Sequence, residues 1–251
     1  MKLSVVVVMR DEEANIARCL QSALWADEIV VVDSHSTDNS VAVARQFTDQ
    51  IFIEQWRGFG PQKNFALEKA RGDWIFSLDS DEEITPELAA EIRAAIADAN
   101  EMRAFFVPRR NFFCGKFLLW GGVYPDRQLR LFRRGSALFS DRPVHETLET
   151  TASPGQLNND LLHFSNPTLS HLFRKMDQFS TLGAQHLKAR GKRASLAQML
   201  TRPAWKFFSC YLVRQGFRDG GHGFVFALLS AMQVFMRLAK LWEIQRKSTP
   251  E

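Results

Sequence analysis

The sequence is poor in cysteine: 251 residues carry three, Cys19, Cys114 and Cys210, far apart and with no Cys-x-x-Cys pair. That scarcity excludes a disulfide framework and a zinc site of the usual spacing, and it points to a reducing, cytoplasmic compartment. Gly-x-Gly-x-x-Gly and Walker sequences are also missing, so neither a dehydrogenase nor a P-loop explains how the chain would hold a nucleotide. There is no internal repeat and no low-complexity linker. Long apolar runs are scarce as well. The opening MKLSVVVVMRDEE superficially resembles a signal peptide, but its apolar run of about seven residues ends in Arg10, Asp11, Glu12 and Glu13 rather than in small residues, so it reads as a buried strand. The run from Gly223 to Met236 falls short of the roughly 20 residues that span a bilayer. Acidic residues are nearly absent from one third of the chain: residues 166–251 hold four Asp/Glu against 14 Lys/Arg, whereas residues 1–165 hold 24 against 18. A net charge of +4 therefore hides an acidic body and a basic tail, and such a tail suits an anionic surface.

What is present is enough apolar sequence, 45% of residues, for a real core. The first half alternates strand and helix signals. LSVVVVM, EIVVVDS, QIFIEQ and DWIFSLD read as strands, the first buried on both faces. EEANIARCLQSAL, DNSVAVARQF, PQKNFALEKA and TPELAAEIRAAIADA read as helices, the last capped by Thr85 with Pro86 in its first position. This order predicts an α/β fold with a mainly parallel sheet flanked by helices. Ligands of such sheets bind beyond the carboxyl ends of the strands, where the MRDEE turn, Asp33 and Asp79 should converge. Residues 104–165 change to strands and loops rich in Arg and Phe.

The stretch WIFSLDSDEEI runs an apolar strand into four carboxylates, Asp79, Asp81, Glu82 and Glu83, which repel one another unless positive charge lies among them. An Asp-x-Asp pair at a strand end supplies hard oxygen ligands for Mg2+ or Mn2+ and leaves positions open for a diphosphate. The plainer alternative is an acidic turn that caps the next helix.

Together VVVVMRDEEANIARCLQSA, EIVVVDSHSTDNS, GPQKNFALEKARGDWIFSLDSDEEI, RQLRLFRRG and VHE resemble the family-2 glycosyltransferases of the GT-A fold. Through VHE and GFRDGGHGF the chain is most similar to the lipopolysaccharide inner-core β-1,4-glucosyltransferases. The resemblance implies a catalytic domain over 1–165, with a nucleotide-sugar half at 1–103 and an acceptor half at 104–165, followed by a basic helical tail at 166–251. It implies that Met9, Arg10, Glu12, Asp33 and Ser36 meet the nucleotide and that Lys63 and Asn64 lie beside the donor. Asp79 and Asp81 match the family's metal motif, with Asp81 the direct ligand and Asp79 also facing the donor. Glu82 and Glu83 are left as helix-start or supporting charges. Asp38 belongs to the motif around Ser36 or caps the next helix.

An inverting transferase needs a base for the acceptor hydroxyl, and RPVHETLE offers Glu146, with Asp126 and Asp141 as rivals. His145 either orients Glu146 or is structural. Strand alternation puts Arg127 and Arg133 on one face and Arg130 and Arg134 on the other, where a pair grips an anionic acceptor or is solvated.

In FVFALLSAMQVFMRLAKLW, Ser230, Gln233, Arg237 and Lys240 share one narrow sector at about 100° per residue and all other positions are apolar. RPAWKFFSCYLVRQGFR mixes aromatics with basic residues, as suits headgroup depth. The expected enzyme is therefore a metal-dependent transferase moving a hexose, glucose first, from a UDP-sugar to a lipid-linked saccharide acceptor. It would sit peripherally on the anionic lipid of the inner face of the cytoplasmic membrane. A nucleotidyltransferase would need more basic residues near the first strand than Arg10 and Arg18. Against a non-catalytic sugar-nucleotide scaffold stand intact Asp79, Asp81 and Glu146. Nucleic acid is not an expected partner, because the tail's aromatics cluster with aliphatics.

Overall fold

The structure, a computed structural model, describes residues 1–98, 102–140, 147–166 and 168–247. The chain forms two compact units, Met1–Arg109 with Asp126–His163, and Arg110–Pro125 with Phe164–Glu251.

The first unit begins with β1 (Leu3–Met9), α1 (Ile16–Gln21), β2 (Glu28–Asp33), α2 (Ser40–Ala44), β3 (Ile51–Ile53), α3 (Phe59–Lys69) and β4 (Trp74–Asp79). There follow β5 (Glu82–Ile84), α4 (Pro86–Ala97) and β6 (Ala104–Phe113), whose last residues belong with β7 (Lys116–Phe117) to the second unit. β8 (Asp126–Arg133), β9 (Ala137–Phe139), β10 (Leu148–Thr150), β11 (Gly155–Gln156) and β12 (Leu161–Asn166) complete the strands among the described residues.

The sheet runs β3-β2-β1-β4-β8-β6-β12-β5. Its first four strands are parallel. From β8 onward the pairings of β4 with β8, β8 with β6 and β12 with β5 are antiparallel. The parallel expectation thus describes the first half of the sheet. The valine run of β1 is apolar at every position because both faces are covered. Val5, Val7 and Met9 pack with Ile16, Leu20, Leu88 and Ile92 on one face, while Val6 packs with Ala66, Leu67, Phe132 and Phe139 on the other.

Local signals set several boundaries. Thr85 caps α4, its hydroxyl accepting from Leu88 N at 3.2 Å, and Pro86 opens the helix. α1 is shorter than the predicted helix over 12–24, because the Glu12 carbonyl closes a turn by accepting from Asn15 N and Ile16 N at 2.9 Å. Glu82 and Glu83 lie in β5, not at a helix start.

A β-bulge interrupts the pairing of β6 with β8: Phe105 faces Leu131 and Phe106 faces Leu129, so no β6 residue stands opposite Arg130. Leu131 lies in one core and Leu129 against the other, whereas strict alternation would put both on one face. The expected split of the arginines between two faces therefore fails at Arg130, which the bulge re-aims.

In the second unit α5 (Leu169–Ala189) and α6 (Leu196–Phe208) are followed by a π-helical turn at Ser209–Val213, a 3-10 turn at Gly216–Asp219 and α7 (Gly221–Lys247). Phe113, Leu118, Met176 and Leu229 form its core. α7 has the length and apolar content of a membrane-crossing helix. Arg237 and Lys240 turn toward α5: Lys240 Nζ lies 2.7 Å from both Asp177 Oδ1 and Thr181 Oγ1, and Arg237 packs over Gly183. Phe224, Leu228, Met232 and Phe235, at spacings of four, four and three, are each more than 40% exposed.

Candidate active site

Because β1 lies between β2 and β4, their carboxyl ends are neighbours. Met9 is in register with Asp33 and Val8 with Asp79. Polar groups that the sequence scatters over 70 residues are thereby brought to one edge of the parallel half-sheet, where such sheets bind ligands.

Each of the four carboxylates of Asp79–Glu83 has a basic partner. Lys63 Nζ is 2.8 Å from Asp79 Oδ1, and Arg130 Nη2 reaches Asp79 Oδ2. The same Arg130 nitrogen reaches Glu82 Oε1, which Arg109 also approaches at 3.2 Å. His163 Nε2 is 3.3 Å from Asp81 Oδ2, and Arg18 Nε is 3.6 Å from Glu83 Oε2. Glu82 is fully buried and Arg130 is 5% exposed, so this is a desolvated charge network whose members depend on one another. Burial works to raise the pKa of Asp79 and is outweighed by Arg130 and Lys63, which hold it well below the usual carboxylate range. For Arg130 burial works downward, and Asp79 and Glu82 outweigh it. Burial pushes the Cys19 thiol up, with Glu82, Asp81 and Asp79 adding to the effect, so Cys19 is an inert core residue.

The network changes what Asp79 can do. Both its oxygens are taken by protein cations, and its N–H donates to Glu82 Oε2 at 3.0 Å. As a direct metal ligand it would have to displace Lys63 or Arg130. Asp81 differs: its carboxylate faces an imidazole nitrogen, a pair of donor types that suits a divalent cation. Among the described residues no group of three His, Cys, Asp or Glu is disposed to hold a metal by itself, so phosphate oxygens would have to complete the shell.

The loops after β1 and β2 are laced together. Asp33, 1% exposed, accepts from Ser36 N at 2.9 Å and from the Ser36 hydroxyl. That hydroxyl accepts from Asp11 N at 2.9 Å, and Asp11 Oδ1 accepts from Thr37 N at 2.7 Å. Glu12 N donates to Ser40 Oγ and Glu13 N to Asp38 Oδ2, so Asp38 ties the loops together while also accepting from Ser40 N. Asp11 and His35 both hold positive φ, 54° and 57°, a strained backbone kept by these bonds.

Of the other residues expected at the nucleotide, Arg10 is exposed, with Asp11 at 3.7 Å. Glu12 accepts from the Asn15 amide at 2.8 Å. Met9 presents no side chain to a ligand: it is 2% exposed in the core, and its carbonyl accepts from Ser34 N. Asn64 is a brace, its amide donating to Phe139 O and accepting from Phe139 N, both at 2.9 Å.

Glu146, with Asp141 and His145, lies outside the described residues. The rival Asp126 is engaged: Oδ2 accepts from Arg109 Nε and Nη2 at 2.9 and 2.6 Å, and Oδ1 from Gln128 at 2.7 Å. Sequence reasoning missed Arg109, His163 and the buried Gln62, which donates to Ser34 Oγ and Glu54 O. Only Arg130 carried a signal, as one of a cluster; His163 sits in an ordinary alternating strand.

The family model described as glycosyl transferase family 2 matches residues 4–146. The chain is 31% identical over 248 residues to "Lipopolysaccharide core biosynthesis glycosyltransferase LpsC" of Rhizobium meliloti, covering 96% of this chain and 92% of that protein. It is 31% identical over 259 residues to an uncharacterized glycosyltransferase of Rickettsia felis, covering 98% and 92%. Among solved structures, that of S. aureus TarS 1-349 aligns with 99% of this chain and 92% of its own, at 16% identity and a TM-score of 0.49.

Proposed function

The chain belongs to glycosyl transferase family 2, and on that footing we propose a metal-dependent, inverting enzyme that moves a hexose from a UDP-sugar to a lipid-linked saccharide of the lipopolysaccharide inner core. Glucose is the first donor to test. The observation that carries the reading is Asp81 facing His163 beside a charge-locked Asp79, at the carboxyl end of a parallel strand. The named role of the Rhizobium relative in lipopolysaccharide core biosynthesis supports the acceptor class.

A bound Mg2+ or Mn2+, held by Asp81 and His163 together with diphosphate oxygens, would offset the charge that develops on the departing UDP. The protein's own residues do the rest. Asp79, kept anionic by Lys63 and Arg130, fixes the turn that presents Asp81. Lys63 adds positive charge near the diphosphate. Arg10 meets the nucleotide from the first loop, whose shape Glu12, Asp33 and Ser36 maintain. Glu146 takes the proton from the acceptor hydroxyl as that oxygen bonds to the anomeric carbon, on the face opposite the bond to UDP that breaks. Asp126 is a poorer base, since its oxygens are already accepting from Arg109 and Gln128.

The enzyme works from the inner face of the cytoplasmic membrane, lying on it rather than crossing it. Supporting this are the exposed apolar stripe of α7 and the Lys240–Asp177 pair, which occupies the opposite, packed side of that helix.

The test is calorimetric binding of UDP-glucose, UDP-galactose and ATP with Mn2+ and with EDTA. Wild type should bind one UDP-sugar with metal only. Asp81→Ala and His163→Ala should each weaken that binding by at least about tenfold, and Glu146→Gln should bind normally but lose turnover. Equal binding in EDTA overturns the metal reading. Binding of ATP alone points to a nucleotidyltransferase, and binding of nothing to a scaffold.

A further inference from the structure

The second unit contains a pocket of about 500 Å³ lined by Leu119, Trp120, Gly122, Tyr124 and Arg214. None of the residues given a part in the transfer lines it. Its walls are held from behind. Gly121 N donates to Arg214 O at 2.9 Å, and Asp219, 4% exposed, accepts from Leu119 N at 3.1 Å and Trp120 N at 2.8 Å. Gly121 and Gly122 both have φ of 78°, which lets the chain turn sharply there. The Arg214 side chain lies directly on Gly122, where a Cβ would come within 2.5 Å of Arg214 Cδ.

Apart from the buried Asp219 behind the wall, the charged side chains in and against this pocket are arginines. Arg218 stacks on the Trp120 ring with its guanidinium carbon 3.7 Å from the centroid, and Arg110 lies over Tyr124 at 5.8 Å. Among the described residues no ion pair reaches Arg214 or Arg218. Asp219 is the only acid between Asp177 and Glu243, and its buried carboxylate is occupied by the two backbone N–H groups, with Lys116 at 3.5 Å. An apolar rim accompanies these charges: Leu119, Leu212, Val213 and Phe217 are each more than 40% exposed, and Arg214 follows Val213 directly.

A pocket lined by the Arg214 side chain and two aromatic rings, with two further arginines stacked on those rings and exposed aliphatic side chains close by in the chain, fits a molecule whose phosphate is joined to an apolar body. We propose that it binds the phosphate headgroup of an anionic phospholipid, while Leu212, Val213 and Phe217 enter the acyl boundary. The proposal rests on the membrane placement above and deepens it: attachment is through one built pocket and not through diffuse charge. Arg grips the phosphate as a planar fork, and Trp120, held through its own N–H and that of Gly121, fixes the wall.

The experiment is flotation of the full-length protein with vesicles of phosphatidylcholine and with an equal mixture of phosphatidylcholine and phosphatidylglycerol. Arg214→Ala and Trp120→Ala should each weaken binding to the mixed vesicles by about tenfold, with the melting temperature of each variant as the folding control. Arg214→Lys, which keeps the charge and the fold but loses the fork, should fall between. Arg190→Ala, a basic site on the second unit away from the pocket, should stay within about twofold of wild type.

A wild type that floats with neither vesicle overturns the membrane placement and the pocket together. Wild-type flotation with an unchanged Arg214→Ala, or with Arg190→Ala equally weakened, overturns the pocket and leaves membrane placement standing. If glycerol 3-phosphate without lipid raises the melting temperature of wild type but not of Arg214→Ala, and flotation is unaffected by the variant, the pocket serves a soluble phosphate and the lipid assignment fails. A dimer that dissociates in Arg214→Ala, with no flotation, gives the surface to a second copy and also overturns the proposal.

Discussion

Arg130 answers for two carboxylates at once, one of them fully buried. It is held by no local rule: the cluster RQLRLFRR suggested surface charge or an acceptor grip, and a bulge turned this one arginine inward. Removing the cation should therefore leave Glu82 charged and desolvated. Arg130→Met is expected to cost about 3–5 kcal/mol, read from urea unfolding. The double variant Arg130→Met with Glu82→Leu should recover much of the loss, since replacing a whole buried pair with apolar groups is far cheaper than orphaning one partner. A small effect of the single variant would mean that Arg109 alone satisfies Glu82. At this scale the sequence revealed that the carboxylates of Asp79–Glu83 need positive charge nearby. It did not reveal that Arg18, Lys63, Arg109 and Arg130 supply it, or that His163 meets Asp81, because those partners lie 16 to 82 residues away along the chain.

At the scale of elements, apolar runs and caps were reliable guides where the element is buried on both faces or begins with a polar cap, as for β1, β2, β4 and α4. β5 was invisible. A strand written Glu-Glu-Ile has no apolar signature, and it exists because β12 pairs with it while two arginines neutralise its inward glutamate. The start of α7 is likewise decided by contact. Gly223 sits so tightly on the carbonyl of Gly216 that a Cβ there would overlap it, and the Asp219 side chain is nearby. Gly223→Ala should push α7 away from the turn that supports the phosphate pocket, at an expected cost of about 1–3 kcal/mol. Thermal unfolding measures the stability loss, and flotation on anionic vesicles should weaken in parallel. An unchanged melting temperature would mean the turn relaxes freely.

For the whole molecule, acid should be destabilising, and the sign follows from the folded carboxylates. Glu28 falls from 4.5 to about 2: burial opposes ionisation, and hydrogen bonds from Ser4 and Arg71 outweigh it. Asp79 is depressed as well. A carboxylate whose folded pKa lies below its unfolded value adds stability that is complete above the unfolded value and is lost as pH falls toward the folded one. Urea midpoints should hold above about pH 4.5 and decline from there toward pH 2. Glu28→Gln should lower the neutral-pH midpoint and flatten that decline, and a decline of the same slope would place the titration elsewhere. The sequence by itself determined the alternating half-sheet, the strand-end carboxylates and the uneven charge, because periodicity, capping and charge are written locally. Only the tertiary structure decided which cations hold which carboxylates, that α7 turns Arg237 and Lys240 toward α5 and its apolar stripe outward, and that residues 110–125 join the helices to form a pocket. Those outcomes depend on side chains far apart in the chain competing for the same buried space, and no local pattern records that competition.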